Sequence, residues 1–124
     1  MSAWTADELA RIGRADELSI ASRRWDGSLR PYVTIWAVRV DDSIYVRSAY
    51  GHDNPWFQRA MHSGQGRIQA GGVEQDVLFE VPEPDVSAAV TAAYHAKYDR
   101  YGPAIVGSVT SGDALGSTLR VVPA

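Results

Sequence analysis

Residues 51–57 read GHDNPWF and stand at a corner of the chain. The run before them, SIYVRSAY, alternates like a β-strand, and the run WFQRAMHS has the pattern of a helix. Asn54 is a favourable N-cap residue and Pro55 a favourable first helical residue, so a helix is predicted to begin there. A plain turn needs neither a histidine nor a Trp–Phe pair, which indicates that this corner also binds something.

The start of that helix is a candidate anion site. Free backbone N–H groups and the helix dipole favour negative charge at a helix N-terminus. Arg47 and Ser48 stand at the end of the preceding strand, and His52 lies in the loop. These side chains and the free amides could converge on one phosphate. The alternative is an ordinary Asn-Pro helix start beside a solvated arginine. In both cases Arg47 is expected to be exposed and to contribute little to stability.

The remaining sequence predicts a mostly antiparallel sheet. Asp26-Gly27 and Gly71-Gly72 are typical of hairpin turns. The run RPYVTIWAVRV is apolar on both faces and predicts a central strand covered on both sides. Strands are predicted at residues 18–24, 30–40, 43–50, 66–70, 76–81 and 117–122.

Two further helices are predicted. Thr5 and Glu8 have the spacing of a capping box, with Trp4 and Leu9 as a hydrophobic staple, for a short helix that ends near Gly13. The segment PDVSAAVTAAYHAKYDRYGP has helical periodicity and is expected to end at its Gly-Pro pair. The predicted fold class is therefore α+β: one domain, residues 1–124, with about six strands closed into a small barrel and flanked by helices. An open α+β sandwich is the alternative.

The composition excludes several classes of protein. The chain has 124 residues, no cysteine and a net charge of −3, which argues against a nucleic-acid binder. No signal peptide and no apolar run long enough for a membrane helix is visible, so a cytoplasmic protein is expected. The three histidines lack metal-ligand spacing, so no metal is expected. No G-x-S-x-G elbow supports a hydrolase.

The last helix carries the catalytic candidates. Its spacing places Tyr94, Lys97 and Tyr98 on one face, and His95 on another, four residues before Asp99. Tyr98 could donate a proton and Lys97 could bind an anionic substrate group, with His95 as a further acid–base candidate. The alternative is that the tyrosines pack in the core with solvated hydroxyls while Lys97 extends along apolar surface.

Four segments, RPYVTIWAVRV, YVRSAYG, NPWFQRA and AAYHAKYDRYG, carry a family resemblance. Together they resemble a small uncharacterised bacterial family of the flavin-binding split-barrel superfamily. That superfamily includes pyridoxamine-phosphate oxidases and deazaflavin-dependent nitroreductases. The corner GHDNPWF is similar to the nitroreductases' helix start, with one residue fewer before the tryptophan.

The resemblance implies a split β-barrel homodimer that holds FMN or a deazaflavin coenzyme at the subunit interface. The implied cofactor-binding residues are Arg47, Ser48, His52 and Asn54 at the phosphate and Thr34, Ile35 and Trp36 near the ring, and Trp56 is a further cofactor-binding candidate. Taken singly, Trp56 is more typical of a core or interface residue. The oxidases have a lysine in the phosphate loop, whereas this loop has only His52, so weak and exchangeable binding is expected. A longer deazaflavin tail could also reach Arg23, Arg24 and Arg59.

Three functions fit these residues. The first is a flavin- or deazaflavin-dependent oxidoreductase acting on a small molecule. The second is a barrel that binds a cofactor or small ligand without turnover. The third is a cofactor-free acid–base enzyme that uses His95, Lys97 or Tyr98 in the same cavity.

Overall fold

Residues 3–124 are described by a computed structural model of the chain. The helices are α1 (Ala6–Arg14), α2 (Pro55–Ser63), α3 (Ser87–Tyr98) and α4 (Pro103–Thr110). The strands are β1 (Leu18–Ser22), β2 (Val33–Ile35), β3 (Ala37–Val40), β4 (Ser43–Val46), β5 (Gln65–Ala70), β6 (Val73–Glu80) and β7 (Leu119–Pro123). Short 3₁₀ turns occupy Pro84–Val86, Asp99–Tyr101 and Gly112–Ser117.

The seven strands form one antiparallel sheet in the order β2-β1-β5-β6-β7-β4-β3. The two strands at the ends of this order, β2 and β3, are separated in sequence by Trp36 alone. The ends of the sheet must therefore meet, and the sheet curls into a nearly closed barrel. The predicted α+β class and split-barrel architecture are confirmed.

The prediction of a single central strand at residues 30–40 is wrong. The run breaks at Trp36 into two short strands at opposite ends of the sheet, and Val33 in β2 is 38% exposed. Side chains of α3 satisfy the backbone at the break: the Tyr94 hydroxyl donates to the Trp36 carbonyl at 3.2 Å, and the Ala37 N–H donates to the Tyr98 hydroxyl at 3.3 Å. The run is therefore apolar because its two halves pair with different strands, β2 with β1 and β3 with β4, and not because one strand is covered on both faces.

The first helix begins as predicted. The Thr5 hydroxyl accepts a hydrogen bond from the Glu8 amide, and the Glu8 carboxylate accepts one from the Thr5 amide, which completes the capping box. Trp4 and Leu9 are both buried in the barrel core. The helix extends one residue beyond Gly13.

The predicted last helix is two helices. Helix α3 ends at Tyr98, a 3₁₀ turn follows, and Gly102 adopts φ 102°, a conformation that L side chains rarely adopt. Helix α4 begins at Pro103. Proline is favourable in the first turn of a helix because its missing N–H is not needed there, and unfavourable in the interior. Helix α4 packs against α3, and their buried valines and tyrosines form a second core outside the barrel.

The helices of residues 3–124 are too short or too polar to cross a lipid bilayer. The same residues contain no group of three or more histidine and acidic side chains that could hold a metal ion.

Candidate functional site

The corner between β4 and α2 is shaped by backbone conformation. Tyr50 and Gly51 have positive φ angles of 64° and 103°, which turn the chain sharply after the strand. A Cβ atom on Gly51 would lie 2.6 Å from Cβ of Asp113, so only glycine fits there. Helix α2 begins at Pro55 with Asn54 as its N-cap, as predicted. The Asn54 side chain makes no capping hydrogen bond, so its amide is available to a ligand.

Arg47 lies at the centre of this region and is 1% exposed. Its Nε donates to Thr118 Oγ1 at 2.9 Å, and its Nη1 donates to Thr91 Oγ1 at 2.7 Å and to the Val109 carbonyl at 3.0 Å. Its Nη2 donates to the carbonyl and the hydroxyl of Ser87 at 2.9 and 3.1 Å. All five N–H donors of the guanidinium therefore have protein acceptors.

The predicted exposure of Arg47 is wrong. Burial lowers the pKa of Arg47, although an arginine stays charged in proteins. The buried charge is held by neutral hydroxyl and carbonyl oxygens, and none of its hydrogen-bond partners within residues 3–124 is a carboxylate. A phosphate could engage this guanidinium only by displacing those partners.

Ser48 and His52 also lie away from the expected phosphate position. Ser48 is fully buried, and its Oγ has no hydrogen-bond partner among the described residues. His52 is exposed, and its ring packs edge-on against Phe57 with a centroid distance of 5.2 Å. Neither residue lines the cavity that the other candidates share.

That cavity lies between strand β2, the start of α2 and helix α4, and has a volume of about 270 Å³. Six of the eight residues that the sequence analysis placed at the cofactor line it: Thr34, Ile35, Trp36, Arg47, Asn54 and Trp56. The remaining wall is formed by Val33, Ala49, Ile105, Ser108 and Val109. Residues from three separate segments, namely strand β2, the corner between β4 and α2, and helix α4, thus converge on one cavity.

The cavity combines apolar walls with few polar groups. Trp36 forms one wall, and the Tyr98 ring stacks on it at 4.0 Å with an angle of 5° between the planes. Within residues 3–124, the Thr34 hydroxyl and the Asn54 amide make no side-chain hydrogen bond, so both can bind a ligand. Small-molecule sites typically have such apolar walls with a few polar groups that fix orientation.

The three catalytic candidates do not converge. Tyr98 is buried behind Trp36 rather than lining the cavity, and its hydroxyl donates to the Asp16 carbonyl at 2.7 Å and lies 3.1 Å from the Ala37 carbonyl. Burial raises the pKa of Tyr98. His95 is exposed and pairs with Asp99 at 2.8 Å. The alternative of core tyrosines is correct in their burial but wrong in their solvation, since backbone groups bond both Tyr94 and Tyr98 hydroxyls.

Lys97 lines a second cavity, of about 510 Å³, between α1, β3 and α3. Its Nζ donates to the Ala37 carbonyl at 2.7 Å and lies 5.0 Å from the centre of the Tyr98 ring. Burial lowers the pKa of Lys97 to about 8. The amine is therefore poised between its charged and neutral forms near physiological pH, but at a site separate from the first cavity.

Sequence reasoning missed the contribution of α4. Ile105, Ser108 and Val109 follow the i, i+3, i+4 spacing of one helix face. Taken only as a helix stop, Pro103 predicts no structure for the segment that follows it. The same proline is a helix-start signal, and it could have revealed this wall of the cavity.

Residues 8–121 match the family DUF2255, described as uncharacterized protein conserved in bacteria. The chain belongs to the DUF2255 family. The small bacterial family that the sequence resembles is thereby confirmed. No curated protein matches the chain.

Solved structures share the fold of this DUF2255 chain at low identity. An F420 reductase is 14% identical with a TM-score of 0.58, over 92% of this chain and 89% of that one. A protein named a domain-swapped dimer is 17% identical with a TM-score of 0.62, over 95% and 87%. A FAD-binding protein from Mesorhizobium loti is 13% identical with a TM-score of 0.55, over 97% and 88%. These likenesses support the fold.

The buried guanidinium predicts a large effect on stability. Arg47→Ala should lower the free energy of unfolding by about 3 kcal/mol or more, because it leaves a cavity and removes the donor from five acceptors that are buried or partly buried. Arg47→Met, which keeps most of the volume, should lose nearly as much. Arg59→Ala, at an exposed arginine, should change stability by about 0.5 kcal/mol or less. Urea unfolding measures all three, and a wild-type midpoint for Arg47→Met would contradict the hydrogen-bond account.

The amine of Lys97 predicts a distinctive titration. Lys97 is the only lysine of the chain, so a ¹³C-methylated side-chain amine gives a single lysine NMR signal. Its midpoint in the folded protein should lie near pH 8. In urea it should return to about 10.4. Because folding favours the neutral amine, the contribution of Lys97 to stability should rise as pH increases between these two values. A folded midpoint near that of the unfolded chain would contradict the burial of the amine.

Proposed function

We propose that this DUF2255 protein is an oxidoreductase that binds a flavin or deazaflavin coenzyme in the cavity between β2, α2 and α4. The supporting observation is the convergence of Thr34, Trp36, Asn54 and Trp56 on that cavity. They lie on separate segments, and both the family resemblance and the cavity select them. The structural neighbours named as an F420 reductase and a FAD-binding protein agree with this class of coenzyme.

The cavity suits the ring of such a coenzyme. Trp36 is held flat by Tyr98, so it offers a rigid planar wall to an aromatic ring. Thr34 and Asn54 supply the hydroxyl and amide that could fix the ring's polar edge. When bound, the coenzyme supplies the hydride chemistry, and the protein orients it and excludes water.

The binding site available to the coenzyme phosphate is weaker than the site available to the ring. The nine-residue helix α2 directs its N-terminus at the cavity, with Asn54 and Trp56 on the lining. The Trp56 amide, which has no intrahelical partner, and the helix dipole would bind a phosphate there, whereas Pro55 has no N–H and the Phe57 amide donates to the Asn54 carbonyl. Arg47 lines the same cavity with its donors occupied, so it supplies positive potential rather than a direct contact. We therefore expect weak and exchangeable binding, as the loop without lysine already indicated.

A second copy of the chain would complete the site. Ligand cavities usually range from about 300 to 1,000 Å³, and this one, at about 270 Å³, is small for a coenzyme with substrate. Its rim carries apolar side chains that are largely exposed, including Val33 at 38% and Ile105 at 50%. Covering that rim would enlarge the enclosed volume and bury apolar area. A structural neighbour named as a domain-swapped dimer supports a homodimer.

A second candidate function rests on Lys97. A lysine whose pKa is about 8, at the edge of a cavity of about 510 Å³, is suited to general acid–base chemistry without a cofactor. Arg14 and Arg39 line the same cavity and could bind an anionic substrate. This site would replace the proposed one only if the first cavity binds no coenzyme. A barrel that binds coenzyme without turnover would show affinity but no substrate reduction.

Coenzyme binding can be measured by fluorescence titration of the apo-protein with FMN and a deazaflavin coenzyme. We expect micromolar dissociation constants, about −8 kcal/mol, that weaken as salt rises. Asn54→Asp should weaken binding about tenfold, because it places a negative charge beside the phosphate. Asn54→Ser is the matched control, since serine and aspartate are both good N-cap residues and only one is charged. If neither coenzyme binds below millimolar concentration, the redox proposal fails and the Lys97 cavity becomes the better candidate.

The dimer can be tested by sedimentation at micromolar concentration. Wild-type protein should sediment as a dimer, whereas Ile105→Asp should be monomeric, because it places a charge on the apolar rim. An acidic residue in the first turn of α4 is compatible with the helix dipole, so the fold should persist. Val81→Asp, at a residue that is 69% exposed and does not line the cavity, should remain dimeric. A monomeric wild-type protein would contradict the shared site.

A further inference from the structure

A third cavity, here called the arginine groove, lies between the turn after β1 and the outer side of α2. Its volume is about 620 Å³. Four arginines line it, Arg23, Arg24, Arg30 and Arg59, together with His62. The net charge of the chain is −3, so this concentration of positive groups runs against the overall charge. A local cationic groove of this kind attracts anions.

Three of these arginines form no ion pair within residues 3–124. Arg23 is committed, because it forms an ion pair with Asp76 at 2.7 Å. Arg24 donates only to neutral oxygens of the turn, including the Leu29 carbonyl at 2.9 Å. Arg30 and Arg59 make no side-chain hydrogen bond to any described residue. Arg24, Arg30 and Arg59 therefore keep guanidinium donors free, in the fork geometry that suits phosphate.

Trp25 lines the same groove and is 98% exposed. The turn that carries it is rigid: Asp26 accepts hydrogen bonds from the amide and the hydroxyl of Ser28 at 3.0 and 2.7 Å. Arg23 adds a bond to the Gly27 carbonyl at 2.7 Å. The indole therefore projects from a fixed turn without packing against the core. An exposed indole beside free guanidinium groups is suited to stacking a planar aromatic ring.

We propose that the arginine groove binds a nucleoside diphosphate. The two phosphates would bind Arg24, Arg30 and Arg59, and the base would stack on Trp25. The phosphates account for the free guanidinium groups, and the base accounts for the exposed indole. The ligand is a small one, because the groove is a single cavity of about 620 Å³ on a chain whose net charge is −3.

The groove adjoins the coenzyme cavity. Val33 and Trp56 line both that cavity and a narrow crevice beside it, while Arg30 and Arg59 line both the crevice and the arginine groove. The diphosphate could therefore be a free nucleotide or part of a dinucleotide coenzyme whose other ring enters the cavity. Only the dinucleotide form rests on the proposed function.

Calorimetry with adenosine diphosphate, pyrophosphate and adenosine tests the site directly. We expect ADP to bind with a micromolar dissociation constant at low salt, pyrophosphate to bind several-fold more weakly, and adenosine not to bind below millimolar concentration. ADP should also protect Trp25 from quenching by acrylamide, a neutral quencher that does not compete for the arginines. Pyrophosphate binding as tight as ADP would overturn the stacking role of Trp25. A single-stranded oligonucleotide that binds more tightly than ADP would overturn the small-ligand assignment.

Matched variants locate the binding. Arg24→Gln and Arg59→Gln should each weaken ADP binding about tenfold or more, because each removes a charge-assisted contact. Trp25→Ala should reduce ADP affinity to that of pyrophosphate. Arg11→Gln, at an exposed arginine of α1 that lines neither the arginine groove nor the two cavities described above, should leave ADP affinity unchanged. Absence of ADP binding below millimolar concentration, or binding that all three groove variants leave unchanged, would overturn the proposal.

A comparison of ADP with flavin adenine dinucleotide identifies the source of the diphosphate. Tighter binding of the dinucleotide, weakened by Asn54→Asp as well as by Arg59→Gln, would support one ligand spanning both sites. ADP binding that the dinucleotide does not exceed would support a free nucleotide. In that case the arginine groove stands even if the coenzyme proposal fails.

Discussion

A buried guanidinium that must remain fully hydrogen-bonded is the constraint on which this structure depends. Arg47 leaves the end of β4 and bonds to α3 through Ser87 and Thr91, to α4 through Val109, and to Thr118 just before β7. Losing all of these partners would leave a buried charge unsatisfied, at a cost comparable to a large part of a small domain's stability. The arginine therefore fixes the outer helices against the barrel, and with them the α4 wall of the cavity.

The opposite wall depends on α3. Tyr94 and Tyr98 bond the backbone on either side of Trp36, and the Lys97 amine adds a bond to the Ala37 carbonyl. These contacts fix the bend between β2 and β3. One face of the Trp36 indole lines the cavity, and the other face stacks on Tyr98. Two of the three residues that sequence reasoning assigned to catalysis, Lys97 and Tyr98, thus contribute to positioning the wall of the site, whereas His95 pairs with Asp99 at the surface. The polar groups of Tyr94, Lys97 and Tyr98 form hydrogen bonds with the backbone, as buried polar groups generally do with one partner or another.

Short sequence motifs predicted the features that depend only on residues close together in the chain. The capping box at Thr5 and the helix start at Asn54 involve neighbours in sequence, and both are confirmed. The place of Arg47 depends on partners 40 to 71 residues away, which no periodicity reveals. The pattern at Tyr94 and Tyr98 identified a shared helix face but could not identify what covers it. Pro103 carries a signal for both the end and the start of a helix, and only packing decides between them.

The central claim is that a coenzyme enters the cavity while the Arg47 network stays intact, and an NMR titration tests it most directly. In ¹⁵N-labelled protein, adding FMN or a deazaflavin coenzyme should shift the indole N–H signals of Trp36 and Trp56. The Nε–H signal of Arg47, bonded to Thr118 at 2.9 Å, should remain protected and in place. A shift of the Arg47 signal with unchanged indole signals would contradict the account, because it would mean that the phosphate displaces the internal partners of the guanidinium.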